Sequence, residues 1–591
     1  MKKPNKWIPA ILVALACYIL FTVTGSLYFD NDNLMIGVVT NGIYSDDVFC
    51  QYLHPLLCVI IRGLSFILPT ADCFLVITSV FVFIEFTVLT YIALIETEGK
   101  PRKEWNIQDW ILRALLLFGT VFLSTAINIW SINYTAQSAS FVFAGMLALH
   151  EYRIRNGQKT LMVLGTALVT MGFMMRIEGA LIFIPYVVMQ IVIDLVMARI
   201  MSLESVLTET KSLAKTMLPS VLIIICLLIS RTVFWSIEPH ASAWRYNEAR
   251  TVTGDFFMRD WEDVEDVIED TDYTEYKSPI VWSLIDTDVI NTEKMEYIAE
   301  VGSTSRFPLT PEGLFRTLKE MGWKIMHTNI QLLLLFIVTL ILAVRNLVCL
   351  KGKWLRLESL LAILGSFLII FYFTMQGRAP LHVWQSVIFA CAGTLIIAAV
   401  KDVHASHSFH TNGEGGGVLK KNEGSSLANP IFLLLISAVL YFSIGQVIAT
   451  GTLHAPITAF TARINVDESE YDQTLEDDSL YIWPSFWQTL AGKYVEKGKL
   501  PSREVLDHNI PLAYWSYGQV YFTDVLERMN AENPAKALLE RPNTYLVRVR
   551  GMDDFVLKYL RAHYGEDIRF EEVGEINKYV YYRAVKGDEK R

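Results

Sequence analysis

Two pairs of aspartates near the N-terminus are the first residues in this sequence that could do chemistry: Asp30 with Asp32, and Asp46 with Asp47. The first pair follows Trp7 to Tyr28, an apolar stretch of about 22 residues, which is enough to cross a bilayer core. A carboxylate at a membrane surface can act as a general base that takes a proton from a hydroxyl group. Asp30 and Asp32 together also suit a hard divalent cation such as Mg²⁺ or Mn²⁺. Spacing alone does not separate these roles, and a solvated carboxylate with no role is the plain alternative.

Positively charged candidates come from two places further along the chain. Arg176 and Glu178 interrupt the apolar sequence TMGFMMRIEGALIFIP, with almost no loop between the segments on either side. Arg378 lies in the motif QGRAP, and His382 follows it. A charge at the centre of a bilayer costs at least about 2.5–3.5 kcal/mol, so Arg176 and Glu178 should lie at the membrane edge, pair with each other or line a polar cavity. Arginines in such a cavity can hold a phosphate group, whereas a structural ion pair or an interface anchor is the simpler explanation.

These side chains must be positioned by membrane-spanning helices, because the composition is that of a membrane protein. Of the 591 residues, 52% are hydrophobic and only 19% are charged, and the mean hydropathy is +0.35. We therefore predict an all-α polytopic membrane bundle of about eleven transmembrane helices. The apolar runs after the first are Thr70–Ile95, Trp110–Trp130, Thr135–His150, Leu161–Met175, Ala180–Met197, Leu218–Trp235, Ile330–Val344, Leu357–Thr374, Trp384–Val400 and Pro430–Thr450.

Basic residues fall in alternate short loops, starting with Lys2, Lys3 and Lys6 before the first span. Since basic loop residues mark the cytoplasmic side, we predict a plasma-membrane protein whose N-terminus is cytoplasmic. An odd number of spans then places the C-terminus outside. The net charge of −10, with the basic patches confined to these loops, argues against a nucleic-acid partner.

The chain divides into a transmembrane domain, residues 1–450, and an outer soluble domain, residues 451–591. Two outer loops, residues 30–69 and 237–324, and a glycine-rich cytoplasmic linker, residues 405–426, interrupt the first domain. Within the first loop, Tyr52–Leu68 is apolar but interrupted by polar residues, which predicts a helix lying in the membrane interface. The outer domain is predicted to be α/β. Its strands are Ser479–Trp483, Thr544–Val549, Ile568–Val573 and Lys578–Val585, and its helices are Pro484–Lys497, Thr523–Asn530 and Asp553–His563.

With these features the chain resembles the GT-C superfamily of polytopic glycosyltransferases, which includes protein O-mannosyltransferases and lipid A aminoarabinose transferases. The likeness consists of an N-terminal span followed at once by an acidic motif, an interfacial helix, about ten further spans and a C-terminal outer α/β domain. The segments DNDNLMIGVVTNGIYSDD…YLHPLL, WRYNEAR (Trp244 to Arg250) and QGRAP more closely resemble a set of uncharacterised bacterial membrane proteins with a similar architecture.

The resemblance implies transfer of a sugar from a polyprenyl-phosphate donor to a cell-surface acceptor at the outer face of a bacterial plasma membrane. Asp32 matches the catalytic acidic position best, Asp30 comes second, and Asp46 and Asp47 are rivals. The partners would be the lipid-linked sugar donor and membrane lipids. The residues expected to bind the phosphate or the acceptor are Arg176, Glu178, Arg378, His54 and Arg250.

Two other functions remain open at this point. A transporter or flippase for lipid-linked glycans requires ionisable residues deep in the membrane; Glu85 is one, and Arg113, Asp194 and Arg231 lie nearer the ends of spans. A non-catalytic membrane-anchored protein that binds a partner would leave the acidic and basic candidates unexplained. The enzyme hypothesis requires Asp32, Arg176, Glu178 and Arg378 to share one cavity. The sequence does not indicate an oligomeric state.

Overall fold

The computed structural model describes residues 6–24, 31–69, 71–96, 133–154, 158–252, 291–300, 306–327, 330–350, 352–378, 380–411, 478–483, 500–511, 518–530, 533–549, 555–576 and 579–587. Within these residues the chain is mostly helical, with one small sheet near the C-terminus. Asp30, Arg113 and the predicted helix Pro484–Lys497 lie outside the described residues.

The membrane region contains helices of very different lengths, and polar residues mark where several of them begin. Ser202 caps the helix Leu203–Phe234 by accepting the N–H of Ser205, and the preceding helix, Ile184–Met201, ends directly before this cap. Thr310 caps the helix Pro311–Met326 in the same way, with Pro311 in the first turn. The helices are α1 (Trp7–Thr24), α2 (Asn31–Thr40), α3 (Pro55–Ser65), α4 (Cys73–Glu96), α5 (Tyr134–Ile154), α6 (Lys159–Met175), α7 (Ile177–Leu181), α8 (Ile184–Met201), α9 (Leu203–Phe234), α10 (His240–Arg250), α11 (Thr292–Glu300), α12 (Pro311–Met326), α13 (Ile330–Cys349), α14 (Lys353–Met375) and α15 (Leu381–Thr411).

Five described stretches of helix are long and apolar enough to cross a membrane, and they support the prediction of a membrane protein. They coincide with five of the predicted apolar runs. The predicted number of about eleven spans is not reached in the described part of the chain. The five are Cys73–Ile92, Ile177–Ile200, Leu203–Phe234, Lys353–Met375 and Leu381–Ala399.

Four other predicted runs form helices that fall short of this measure. The apolar parts of three are short: Trp7–Ala16, Lys159–Met175 and Leu335–Cys349. The fourth, α5, is 21 residues long, but its sequence YTAQSASFVFAGMLALHEYRI carries polar residues that face other helices and lower its hydropathy. The two remaining runs, Trp110–Trp130 and Pro430–Thr450, lie outside the described residues.

Helices α5 and α6 pack with their backbones in near contact. A Cβ atom built on Gly172 would lie 2.6 Å from Cγ2 of Val142 and 2.8 Å from the carbonyl oxygen of Ser138. Gly145 and Gly165, which lie later on α5 and earlier on α6, face each other in the same way. Small residues permit such close packing where water supplies no hydrophobic driving force between helices. The C-terminal end of α6 is thereby held against the first turns of α5.

Buried polar groups tie the bundle together away from this end. Ser140 on α5 donates a hydrogen bond to Glu85 on α4, so the acid most deeply placed in the sequence has a partner on a neighbouring helix. Arg153 forms an ion pair with Asp194 at 2.7 Å and a second with Glu209. Arg153 lies about 30 Å along α5 from its first residue, because an α-helix rises about 1.5 Å per residue.

The C-terminal domain contains five strands and four helices in its described residues. They are β1 (Leu480–Trp483), α16 (Arg503–His508), β2 (Asn509–Pro511), α17 (Val520–Arg528), α18 (Pro534–Glu540), β3 (Thr544–Val549), α19 (Phe555–Tyr564), β4 (Ile568–Ile576) and β5 (Tyr579–Lys586). The strands form one sheet in the order β2-β1-β3-β5-β4. Strand β1 pairs in parallel with β2 and β3, whereas β5 is antiparallel to β3 and β4. The four predicted strands are confirmed, and β3 has the predicted bounds.

The C-terminal domain contacts the segment of residues 31–69, which we call the α2–α3 segment. Tyr521 on α17 donates a hydrogen bond to the sulfur of Met35 on α2. Gln519 donates to the carbonyl oxygen of Ala243 on α10. The α2–α3 segment, α10 and the C-terminal domain therefore lie at one end of the helix bundle. That this end is the outer one stays a prediction.

Two predicted loop features take a definite form. The apolar segment Tyr52–Leu68 contains the predicted helix, α3, which buries Leu57 and Ile61 and leaves Val59 and Ile60 exposed. Helix α15 continues to Thr411, so the first residues of the predicted linker, 405–426, are helical. Residues 412–426 lie outside the described part of the chain.

Candidate functional site

The site is built around Arg176, which lies at the break between α6 and α7. Its backbone is extended, with φ −159° and ψ 112°, and it ends one helix and begins the next. A helix break frees backbone carbonyls that need partners inside a membrane. Ser138 on α5 supplies one, since its Oγ lies 2.8 Å from the carbonyl oxygen of Gly172 and 2.7 Å from that of Arg176. The break is therefore a fixed part of the fold.

Two tyrosines surround the guanidinium group of Arg176. Nη1 donates a hydrogen bond to the hydroxyl of Tyr134. The guanidinium carbon lies 5.0 Å from the ring centroid of Tyr134 and 5.4 Å from that of Tyr52. Both distances are in the range of cation–π attraction. The side chain of Arg176 is only 18% exposed, so a charged group is held in place with part of its donor set still accessible.

Glu178 lies between two arginines. Its Oε2 is 3.1 Å from Nε of Arg176, and its Oε1 is 3.4 Å from Nη2 of Arg231 at the end of α9. The guanidinium carbon of Arg231 lies 4.8 Å from the ring centroid of Trp244. The side chain of Glu178 is 55% exposed, so the carboxylate that pairs with the two arginines lies at the protein surface. We call Tyr52, Tyr134, Arg176, Glu178 and Arg231 the Arg176 cluster.

Asp32 lies in the first turn of α2, where a negative charge is favoured by the helix dipole. It is partly buried and close enough to Arg176 for the two charges to interact. Arg176 thus lies within electrostatic range of Asp32 and pairs with Glu178, and a cavity shared by all three stays a prediction. Asp30 lies outside the described residues.

Glu248 on α10 joins this group, and no pattern in the sequence predicted it. Partial desolvation by the surrounding protein raises the pKa of its carboxyl group, and the nearby Glu178 raises it further, whereas Arg231, Arg176 and Arg250 act in the opposite direction. The side chain is exposed. We call the region around Asp32, Glu248 and the Arg176 cluster the recess. Glu248 is a second candidate proton acceptor beside Asp32.

Arg378 lies in the turn between α14 and α15. It follows Gly377, whose φ of +89° turns the chain between these helices. Both Arg378 and Arg176 lie within electrostatic range of His382 in the first turn of α15. That Arg378 shares a cavity with the Arg176 cluster stays a prediction.

Two of the predicted binding residues are engaged elsewhere in the protein. His54 caps α3, with Nδ1 accepting the N–H of Leu56, so Nε2 carries the proton and donates to the carbonyl of Leu227 at 2.9 Å. Burial, together with Arg231, lowers the pKa of His54. Arg250 is buried and donates to Asn247 at 3.0 Å. His54 thus joins α3 to α9, whereas Arg250 bonds to Asn247 on its own helix and to the adjacent Thr251.

The second aspartate pair is not part of the recess. Asp47 accepts the N–H of Phe49 at 2.8 Å and lies 3.6 Å from Nε2 of His240. Burial raises the pKa of Asp47, and Asp524 adds to this, while the Phe49 N–H and His240 lower it. Asp46 is 85% exposed and lies 3.6 Å from Nη1 of Arg503. Asp47 has a structural role at the contact with the C-terminal domain, and Asp46 is a solvated surface residue.

No group of three or more His, Cys, Asp or Glu side chains in the described residues is placed to hold a metal ion. Asp32 is the described half of the predicted pair with Asp30. A site for Mg²⁺ or Mn²⁺ therefore stays a prediction.

An apolar groove lies between α4, α6 and α9. Its volume is about 400 Å³, and Pro219 in the middle of α9 lies in its wall. Met174 lines the groove and is followed two residues later by Arg176. The groove therefore reaches the last turn of α6, directly before Arg176.

The Arg176 cluster also contains Arg231, Tyr52 and Tyr134, which were not among the predicted site residues. Arg231 was visible in the sequence as a charge at the end of an apolar run, and Tyr134 as the residue beginning one. Glu248 gave no such signal, because it lies in a polar loop among several other acids.

Comparisons of this chain with protein-family models, with characterised proteins and with solved structures gave no match.

Proposed function

We propose that this protein is a membrane glycosyltransferase that moves a sugar from a polyprenyl-phosphate donor to a cell-surface acceptor. The observation that carries the proposal is the position of Arg176. A partly accessible guanidinium group, held by Tyr52 and Tyr134, follows two residues after Met174, which lines an apolar groove. A lipid phosphate has the same two parts, an apolar chain and an anionic head, joined at one point.

The donor's chain fits the groove between α4, α6 and α9. Its phosphate would then lie against Arg176 and Arg231, which can displace Glu178 and donate to the phosphate oxygens. Arg378 adds positive charge on the other side of the recess. Arginines that face a leaving phosphate stabilise the charge that develops as the glycosidic bond breaks.

The acceptor must be deprotonated on the side of the recess formed by α2 and α10. Asp32 is the candidate base. It takes the proton of the acceptor hydroxyl while the acceptor oxygen forms a bond to the anomeric carbon of the sugar. The bond from that carbon to the phosphate oxygen breaks, and its electron pair leaves with the phosphate. Such a single displacement inverts the anomeric configuration. Glu178 is a poorer base because its carboxylate is shared by two arginines.

The transport alternative draws no support from three of the four ionisable residues that suggested it; the fourth, Arg113, lies outside the described residues. Glu85 accepts a hydrogen bond from Ser140, Asp194 pairs with Arg153, and Arg231 pairs with Glu178. Each of these residues has a partner in the described structure. A non-catalytic binding protein would not require a carboxylate and several arginines around one recess.

Photoaffinity labelling tests the proposal directly. The probe is a polyprenyl phosphate that carries a diazirine in the first isoprene units, incubated with the purified protein in detergent. We expect labelling within α6 and α9, and a roughly tenfold loss of labelling in the Arg176→Gln variant, because the charged hydrogen bonds to phosphate are removed. Arg316→Gln is the matched control, since Arg316 lies on the surface of α12 in an ion pair with Glu312. Equal labelling of wild type and folded Arg176→Gln would overturn the proposal.

A further inference from the structure

A second cavity, separate from the Arg176 cluster, lies between the α2–α3 segment and the C-terminal domain. Its volume is about 640 Å³. Asn41 and Arg62 line it from one side, and Leu500, Ser502 and Arg503 from the other. Neither the sequence candidates nor the proposed sugar transfer accounts for two arginines from distant parts of the chain in one cavity.

The first of these arginines is held firmly in place. Nη1 of Arg62 donates to the carbonyl oxygen of Asn41 at 2.5 Å, and the guanidinium carbon lies 4.5 Å from the ring centroid of Phe66. The guanidinium passes so close to Gly42, which has a φ of +68°, that a Cβ atom there would lie 2.4 Å from Nη1. In the described residues no carboxylate lies within 4 Å of Arg62. The contacts with Asn41 and Phe66 therefore hold the guanidinium group in place without neutralising its positive charge.

The second arginine is weakly engaged. Arg503 lies 3.6 Å from Asp46, but both side chains are exposed, and an exposed ion pair of this length contributes little. Arg503 can therefore turn towards an anion in the cavity at a small cost. Together the two arginines form a binding site for a phosphate group.

The surface next to the cavity is apolar. Phe66, which lines the cavity, is 72% exposed, and Ile67 and Leu68 beside it are also exposed. Leu56, Val59 and Ile60 continue this exposed apolar surface along α3. In a membrane protein such a surface faces acyl chains, and an arginine at its edge is placed at the level of the lipid head groups.

We propose that this cavity binds the head group of an anionic phospholipid, with the phosphate between Arg62 and Arg503 and the acyl chains along α3 and Phe66. A lipid in this position contacts both the membrane domain and the C-terminal domain. Such a lipid would stabilise the contact between the two domains. The binding does not depend on the proposed sugar transfer.

Lipid retention measured by mass spectrometry tests this site. The full-length protein is reconstituted in vesicles of phosphatidylglycerol and phosphatidylcholine in equal amounts, extracted in mild detergent, and its bound lipids are counted. We expect phosphatidylglycerol to be enriched at least about fivefold over phosphatidylcholine, and the enrichment to be lost in Arg62→Gln with Arg503→Gln. The single variant Arg503→Gln, which alters an exposed side chain and leaves the fold intact, should lose about half of it. Arg569→Gln, on the surface of β4, should keep it.

Three results would overturn the proposal. One is equal retention of both lipids by wild type, and another is unchanged enrichment in the double variant. The third is complete displacement of bound lipid by millimolar glycerol phosphate, since that would make the cavity a site for soluble phosphates and not for a lipid.

Discussion

Ser45 donates a hydrogen bond of 2.5 Å to Oδ2 of Asp524, although 479 positions of sequence separate the two residues. The length is that of a charge-assisted bond between a hydroxyl and a carboxylate. The N–H of Asp47 lies 3.4 Å from the same oxygen. The C-terminal domain is therefore anchored to the segment whose first helix carries Asp32. The C-terminal domain thus contacts the same segment that contributes Asp32 to the candidate site.

Removing the Asp524 carboxylate should loosen this anchor. In Asp524→Ala the hydroxyl of Ser45, which is buried, loses its acceptor. We expect the contact between the C-terminal domain and the α2–α3 segment to be weakened by about 1–3 kcal/mol. Hydrogen–deuterium exchange would then become faster in residues 31–50 and 518–530, with little change in the sheet. Glu540→Ala is the control, because Glu540 lies on the exposed end of α18 in an i,i+4 pair with Lys536. Unchanged exchange in both segments would show that the bond does not hold the domains together.

Replacement of Asp32 should abolish sugar transfer with little effect on folding. Loss of a positioned general base typically reduces the rate by a factor of about 10²–10⁴. The measurement is release of polyprenyl phosphate from a polyprenyl-phosphate sugar by Asp32→Asn in lipid vesicles. Asp46→Asn is the matched control, because Asp46 is in the same segment and is solvated. If Asp32→Asn retained full activity, Glu248 would become the candidate base.

The sequence predicted which charges would gather better than it predicted what each would do. Asp32, Arg176 and Glu178 were recognisable because each interrupts or ends an apolar run, where an unpartnered charge is unfavourable. His54 had the same signal, and Asp47 was noted as one of a pair of acids, but their roles depend on contacts with Leu227 and Phe49 that no local pattern reveals.

The same limit applies to the fold. Strand β3 was predicted with its bounds, because alternating apolar residues and flanking turns define a strand locally. Strand β2 has three residues, too few for a pattern, and exists because β1 pairs with it. Helix α5 was predicted as a span from its apolar residues, but its polar residues are buried against α4 and α6, and it is less apolar than the five candidate spans.

Glu178 should compete with an anionic ligand for the two arginines that it bridges. In Glu178→Gln, Arg176 and Arg231 lose a neutralising carboxylate, so their attraction for phosphate increases. We expect the affinity for polyprenyl phosphate to rise several-fold, measured by competition against the photoreactive probe. Glu312→Gln, at the exposed ion pair on α12, should leave the affinity unchanged. A weaker affinity in Glu178→Gln would mean that the carboxylate positions Arg176 and does not compete with the ligand.

A methyl group between α5 and α6 should displace the Arg176 break. In Gly172→Ala the new Cβ would lie 2.8 Å from the backbone oxygen of Ser138, so the helices must separate. Overpacking of this kind typically costs about 1–3 kcal/mol. We expect a lower melting temperature and reduced labelling by polyprenyl phosphate. Gly365→Ala on α14 is the control, because nothing lies within 4 Å of a Cβ atom there. Similar melting temperatures for the two variants would contradict the close packing of α5 and α6.

Asp72 should make the protein less stable as the pH rises. It is buried at the start of α4, where Oδ1 accepts the N–H of Leu75 at 3.0 Å. Burial raises its pKa from 3.8 to about 7, against the opposing effect of the N–H groups of Leu75 and Phe74. The folded protein thus binds this proton more tightly than the unfolded chain. The free energy of unfolding that this proton contributes is greatest below pH 4 and is lost as the pH rises to about 7. The loss is at most about 4 kcal/mol.

Asp72→Asn should remove this dependence, because the amide oxygen still caps α4 and carries no charge at any pH. The melting temperature of wild type in detergent should fall between pH 5 and pH 8, and that of Asp72→Asn should fall less and be higher at pH 8. Asp46→Asn, at an exposed carboxylate, should follow the wild-type profile and so corrects for the other groups that titrate in this range. Parallel profiles for wild type and Asp72→Asn would show that Asp72 is charged in the folded protein throughout.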